Sequence, residues 1–147
     1  AFICAGSSRS TAAARLIQDF DMQLVAIQTP HYDEVVAPKI GKLIEEYGED
    51  FVIDISSLQP FEQANLINRL KPDLFIGLSN WAIKQGIPTT HVLDSKHVTM
   101  GYQGLLFLGQ RMEDALLNSG LNKKLAEHRP LRYKESWYEE NPFKYLV

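Results

Sequence analysis

The chain has 147 residues, of which 45% are hydrophobic, 22% charged and 10% aromatic. That composition suits one folded domain and excludes a disordered or collagen-like chain. Its formal net charge of -3 and pI near 5.8 argue against sequence-independent binding to nucleic acid, which needs a strongly basic face.

No apolar run approaches the ~20 residues that a membrane-spanning helix needs. The single cysteine, Cys4, cannot form an internal disulfide or a zinc cluster. This usage fits the reducing cytoplasm. The chain opens directly on Ala1-Phe2-Ile3-Cys4-Ala5, without Met and without the basic start of a signal peptide. It is therefore expected to be a domain of a larger protein.

Phe2–Ala5 reads as a strand, followed by a Gly6-Ser7-Ser8 turn. A helix capped by Ser8 or Ser10 is expected to run to Phe20, with Ala13, Leu16, Ile17 and Phe20 at helical spacing. Met22–Ile27 reads as the second strand. Asp33–Tyr47 carries Val36, Ile40, Leu43, Ile44 and Tyr47 on one face and stops at Gly48. Phe51–Ile55 is the third strand and Gln59–Leu70 the third helix. Pro72 breaks that helix. Leu74–Ile76 reads as a strand ended by Gly77, Asn80–Gln85 as a short helix, and Ile87–Leu93 as a last extended run. Strands alternating with helices imply βαβ units. The expected fold class is α/β, a Rossmann-like parallel sheet flanked by helices.

Asp94–Met100 lacks clear periodicity, and Tyr102–Leu117 is a long helix with Leu105, Leu108, Met112, Ala115 and Leu116 on one face and Gly120 as its stop. Residues 1–120 are read as the Rossmann-like domain and 121–147 as an extended, irregular C-terminal tail. Its aromatics, Trp137, Tyr138, Phe143 and Tyr145, have two open placements. They pack on another domain or subunit, as interface anchors do, or they close back over this domain's own helices.

In open α/β sheets, ligands bind beyond the carboxyl ends of the strands. That rule selects Gly6–Arg9, Gln28–Tyr32, Asp54–Ser57, Gly77–Asn80 and His91–His97. The turn Gly6-Ser7-Ser8-Arg9 leads into a helix, where free N–H groups and the helix dipole suit an anion. It is neither G-x-G-x-x-G nor a P-loop, so a plain tight turn remains an alternative. Asp54 keeps no fixed distance to a glycine fingerprint and is not read as a ribose ligand. His31, His91 and His97 form no H-x-x-x-H or H-E-x-x-H pair. From the residues alone, His31 and His97 read as structural, as does Cys4 within its strand.

One series of short motifs carries more. Leu70-Lys71-Pro72-Asp73-Leu74-Phe75-Ile76-Gly77 is followed by Gly86-Ile87-Pro88 and His91. Ten positions after His91 comes Gly101-Tyr102-Gln103-Gly104, opening a helix that contains Arg111-Met112. Upstream stand Ala5-Gly6 after the first strand and Asp21-Met22-Gln23-Leu24-Val25 at the second. Over roughly residues 1–120, this order and spacing resembles the C-terminal domain of nitrogenase component 1 proteins, on the α-subunit side.

The resemblance implies an iron–sulfur oxidoreductase of αβ pairs. Its α-type subunits surround a large metal–sulfur cluster with three Rossmann-like domains. His91 matches the histidine that holds one end of that cluster. Gly6, Ser7, Ser8 and Arg9 match a turn lining the cofactor pocket, although the family's usual Arg or Lys position falls on Ser8, with Arg9 one further on. The family's aromatic after the histidine is here Leu93. Its Gly-Pro segment is replaced by Lys96-His97-Val98-Thr99, so Lys96 and His97 are expected to make the pocket more basic.

The implied cofactor is an iron–sulfur cluster or FeMo-cofactor-type metal cluster, shared with other domains. The implied partners are the protein's own N-terminal domains, a homologous β-type subunit and an ATP-dependent reductase iron protein, with no nucleic acid and no membrane. Three functions stay open. They are a catalytic subunit reducing dinitrogen or a similar small substrate, a scaffold for assembly of the iron–molybdenum cofactor without turnover, and a Rossmann-like domain for another anionic small molecule. This stretch alone is not expected to be catalytic, since it offers one candidate metal ligand.

Overall fold

The computed structural model describes residues 1–48, 50–56, 59–93, 99–129 and 131–141. Five parallel strands form one sheet: β1 (Phe2–Cys4), β2 (Ala26–Thr29), β3 (Val52–Ile55), β4 (Phe75–Gly77) and β5 (Thr89–Thr90). Their spatial order is β3-β2-β1-β4-β5. The helices between them are α1 (Ser7–Leu16), continued by a 3-10 turn over Ile17–Phe20, α2 (Ala37–Tyr47), α3 (Pro60–Leu70) and α4 (Asn80–Lys84). The long α5 (Gly101–Leu117) follows the sheet, with α6 (Ser119–Glu127) and α7 (Glu135–Glu139) after it. This is the expected Rossmann-like α/β layering.

The strands alternate their side chains between two cores, as the pleat requires. Ile3, Ile27 and Ile76 face one core with Ala13, Ala14 and Ile17 of the first helical segment, Leu43 of α2, and Leu108 and Met112 of α5. Phe2, Cys4, Ala26 and Phe75 face the other, with Leu66 and Ile67 of α3 and Ala82 of α4. Phe2 and Phe75 are register partners on β1 and β4, and their rings stack at 5.0 Å.

Three boundaries differ from the sequence reading. The first helix is not capped by a serine side chain. Gly6 occupies the cap position, and the Ser10 hydroxyl turns back to the carbonyl of Ser7 at 3.0 Å. Helix α2 begins at Ala37 rather than Asp33. Pro38 has no N–H to give, so it is tolerated only in the first turn. Asp33 instead closes the preceding turn, its Oδ1 accepting from the N–H groups of Val35 and Val36. Strand β2 starts four residues later than Met22 and extends to Thr29, because Ala26–Gln28 pair in register with Phe2–Cys4. Gln28 and Thr29 are polar yet each is 1% exposed.

The end of the chain departs further. In place of an extended tail after residue 120, α6 packs on α4 and α7 on α3. Gly120 lies inside α6 rather than ending α5. The Asn65 Nδ2 of α3 donates to the carbonyls of Trp137 and Glu140 at 2.8 and 2.7 Å. Asn68 reaches the Tyr138 carbonyl at 3.3 Å. Tyr133 and Trp137 pack on Phe61 and Tyr133 on Trp81, at centroid distances of 5.3 to 5.6 Å. Tyr138 is buried, while Trp137 stays half exposed. These three aromatics therefore close back over the domain's own helices. Phe143 and Tyr145 lie outside the described residues.

Candidate functional site

Strand order reverses between β1 and β4. From β1 the chain winds outward to β2 and β3, then crosses to β4 on the other side. A crevice opens at such a switch point, beyond the carboxyl ends of the strands. Here it is a cavity of about 270 Å³. Cys4, Ala5, Gly6 and Arg9 line it from the β1 end, Gln28, Thr29 and Pro30 from β2, and Ser56 from β3. Leu78 closes it from β4, and His91, Val92 and Leu93 from the segment after β5.

Close backbone packing shapes the crevice. Gly77 ends β4 at φ 153, and a Cβ there would lie 2.3 Å from the Cys4 carbonyl oxygen. Only glycine lets β4 approach β1 so closely. Gly104 plays a similar part in α5, where a Cβ would meet the Thr99 backbone at 2.4 Å.

Beneath the cavity lies a buried polar chain with one direction of donation. The Ser79 hydroxyl donates to Gln63 Oε1 at 2.7 Å. Gln63 Nε2 donates to Gln28 Oε1 and, at 3.3 Å, to Cys4 Sγ. Gln28 Nε2 donates to Asp54 Oδ2 at 2.6 Å and Ser56 Oγ at 3.0 Å. Burial pushes the Cys4 thiol up to about 11, although the bond from Gln63 opposes this. The thiol is therefore neutral at physiological pH. Burial also raises the Glu62 carboxyl, as does the charge of nearby Asp54, while a hydrogen bond with Ser56 lowers it.

The structure brings three of the sequence-selected residues, Gly6, Arg9 and His91, to this cavity. His91 Nδ1 lies 2.8 Å from the Leu93 carbonyl oxygen and 3.0 Å from the Leu93 nitrogen. With its proton on Nδ1, bonded to that carbonyl, the imidazole keeps a lone pair on Nε2, the form that ligates a metal. Arg9 supplies a full positive charge. Among the described residues no side chain caps α1, so its first N–H groups keep their donor capacity.

Ser7 and Ser8 turn their side chains elsewhere. The Ser7 hydroxyl donates to the His31 carbonyl at 2.8 Å and accepts from Thr29 Oγ1 at 2.9 Å. Ser8 lines a different groove, between α1 and α2. Lys96 and His97 lie outside the described residues. His31 stands apart from the cavity lining, with its Nε2 3.4 Å from Asp33 Oδ2. Among the described residues no group of three or more His, Cys, Asp or Glu side chains could hold a metal. No helix among them is long and apolar enough to cross a membrane.

The sequence reading missed Gln63, which lies on α3, whereas Gln28, Ser56 and Ser79 fall within the strand-end segments it selected, without a role of their own.

Residues 1–117 match the family model of the nitrogenase component 1 type oxidoreductases. The chain belongs to that family. No curated protein matches the chain. The family match spans all five strands and ends with α5. In this nitrogenase-like oxidoreductase chain, the switch-point cavity therefore lies wholly within the matched region, while α6 and α7 lie beyond it.

Proposed function

We propose that this chain forms one wall of a metal–sulfur cofactor site in a nitrogenase-like reductase. The observation that carries the reading is the convergence of Gly6, Arg9 and His91, from separate segments, on one cavity at the β1–β4 switch point. In this reading His91 Nε2 is the metal ligand, with Nδ1 turned to the Leu93 backbone. Arg9 and the N–H groups of Gly6, Ser7 and Ser8 stabilise the negative charge of the sulfide cage. When bound, such a cluster supplies stored electrons for reducing a small substrate.

The donor set suits part of such a group. It has one imidazole, one guanidinium and a helix N-terminus, and it leaves the other metal ligands to residues outside this chain. Those ligands are assigned to N-terminal domains of the same protein. A β-type subunit and an ATP-dependent reductase complete the assembly, in the cytoplasm. Dinitrogen or a similar small molecule is the proposed substrate.

The test uses the full-length protein, purified anaerobically with its partner chain. Iron, sulfide, molybdenum and vanadium are counted, and the electron paramagnetic resonance spectrum is recorded before and after His91→Ala. A cluster signal that changes in the variant supports the assignment. An unchanged spectrum removes His91 as ligand. Absence of iron leaves a domain for another anionic small molecule. Reduction of substrate with the reductase present separates a catalytic subunit from an assembly scaffold.

A further inference from the structure

We propose that the groove between α1 and α2 docks an acidic segment of a partner protein, one offering two carboxylates about a helical turn apart. The inference is independent of the cofactor reading. The groove encloses about 340 Å³ and is lined by Ser8, Thr11, Ala12, Arg15, Lys39 and Lys42. Three of these six carry positive charge, on a chain whose net charge is -3.

Both helices start against their own dipoles. Arg9 lies in the first turn of α1 and Lys39 in the first turn of α2, and neither turn contains an acid. A helix N-terminus carries partial positive charge, so a cation there destabilises and an anion stabilises. No ion pair within the fold answers those first-turn cations: among the described residues the sole ion pair reaching the groove is Arg15 to Glu46, at 2.7 Å, and Arg15 lies in the last turn of α1. Lys39 and Lys42 are three positions apart and so lie on one face of α2. Carboxylates spaced one turn apart on a partner helix match that spacing. Ala12 stands between Ser8 and Arg15 on α1, and its methyl leaves room for the partner to approach. The groove holds three cations on a chain that is acidic overall, which favours a protein segment over nucleic acid.

The test is carbodiimide cross-linking, which joins lysine amines directly to carboxylates, on the full-length protein purified with its native partners. The expected product links Lys39 or Lys42 to an Asp or Glu of another chain, with a yield that falls as salt rises. The exposed pair Lys39→Glu and Lys42→Glu should lose the link and weaken that partner roughly tenfold while circular dichroism stays unchanged. Three outcomes overturn the proposal. They are links only to Glu45 and Glu46 of α2 itself, partner affinity unchanged in the double variant, and displacement of the partner by duplex DNA.

Discussion

Gln28 on β2 donates its side-chain amide to Asp54 on β3 across 2.6 Å. That bond fixes which way the Gln28 amide faces, so its oxygen is left to accept from Gln63 of α3. Gln63 in turn accepts from Ser79, the cap of α4. One strand-to-strand bond thus determines how two helices are held over the sheet beneath the cavity.

Gln63→Leu should therefore destabilise the protein by about 2–3 kcal/mol, because it leaves Gln28 Oε1 and the Ser79 hydroxyl buried without their partner. Urea denaturation measures this as a lower midpoint at unchanged slope. A variant as stable as the parent would show that the chain of bonds contributes nothing.

The Cys4 thiol gives a pH dependence with a definite sign. Its pKa rises from an ordinary 9.0 to about 11 in the folded protein. Below pH 9 both folded and unfolded chains hold the proton, and stability is unaffected. Between pH 9 and 11 the unfolded chain releases its proton first, so stability falls. Tyr47, raised to about 12 chiefly by burial, extends the decline. Cys4→Ala should flatten the part of the curve between pH 9 and 10. At neutral pH iodoacetamide should label Cys4 only after unfolding.

Gly77→Ala should cost on the order of 3 kcal/mol or more, since overpacking and positive φ act together. The added methyl would lie 2.3 Å from the Cys4 carbonyl oxygen, a backbone atom that cannot swing aside. Thermal unfolding of this variant beside Gly6→Ala is the measurement. A Cβ at Gly6 meets nothing within 4 Å, so that substitution should shift the midpoint far less.

The Tyr138 hydroxyl is buried and has no hydrogen-bond partner among the described residues. Tyr138→Phe should thus be neutral or stabilising by up to about 1 kcal/mol, whereas Tyr138→Ala should cost about 3 kcal/mol. Asn65→Ala removes two of the bonds that hold α7 on α3. It should free residues 131–141 to amide exchange while the sheet stays protected. Exchange rising equally in β1 would instead make α7 part of the central folding unit.

Much of this architecture was legible in the chain itself. The apolar stripe Val36, Ile40 and Leu43 is buried as its spacing predicts, and so are Leu66 and Ile67. The alternation of helices and strands, and the position of Gly6, Arg9 and His91 beyond strand ends, followed from local patterns. Those patterns report burial one residue at a time, and a helix or strand periodicity is visible within ten residues.

The tertiary structure alone decided which strand ends meet. It placed β4 beside β1, and so joined the His91 segment to the Gly6 turn in one cavity. It buried Gln28, Asn65 and Gln63, whose polarity reads as surface in sequence. It also folded Tyr138 back onto α3, 70 residues away from Asn68 along the chain. The reason is physical. A polar side chain enters a core only when a partner satisfies it, and here the partners are distant in sequence, Gln63 lying 35 residues from Gln28. Hydrophobic periodicity contains no record of such pairs, because each exists only once the sheet has brought its two members together.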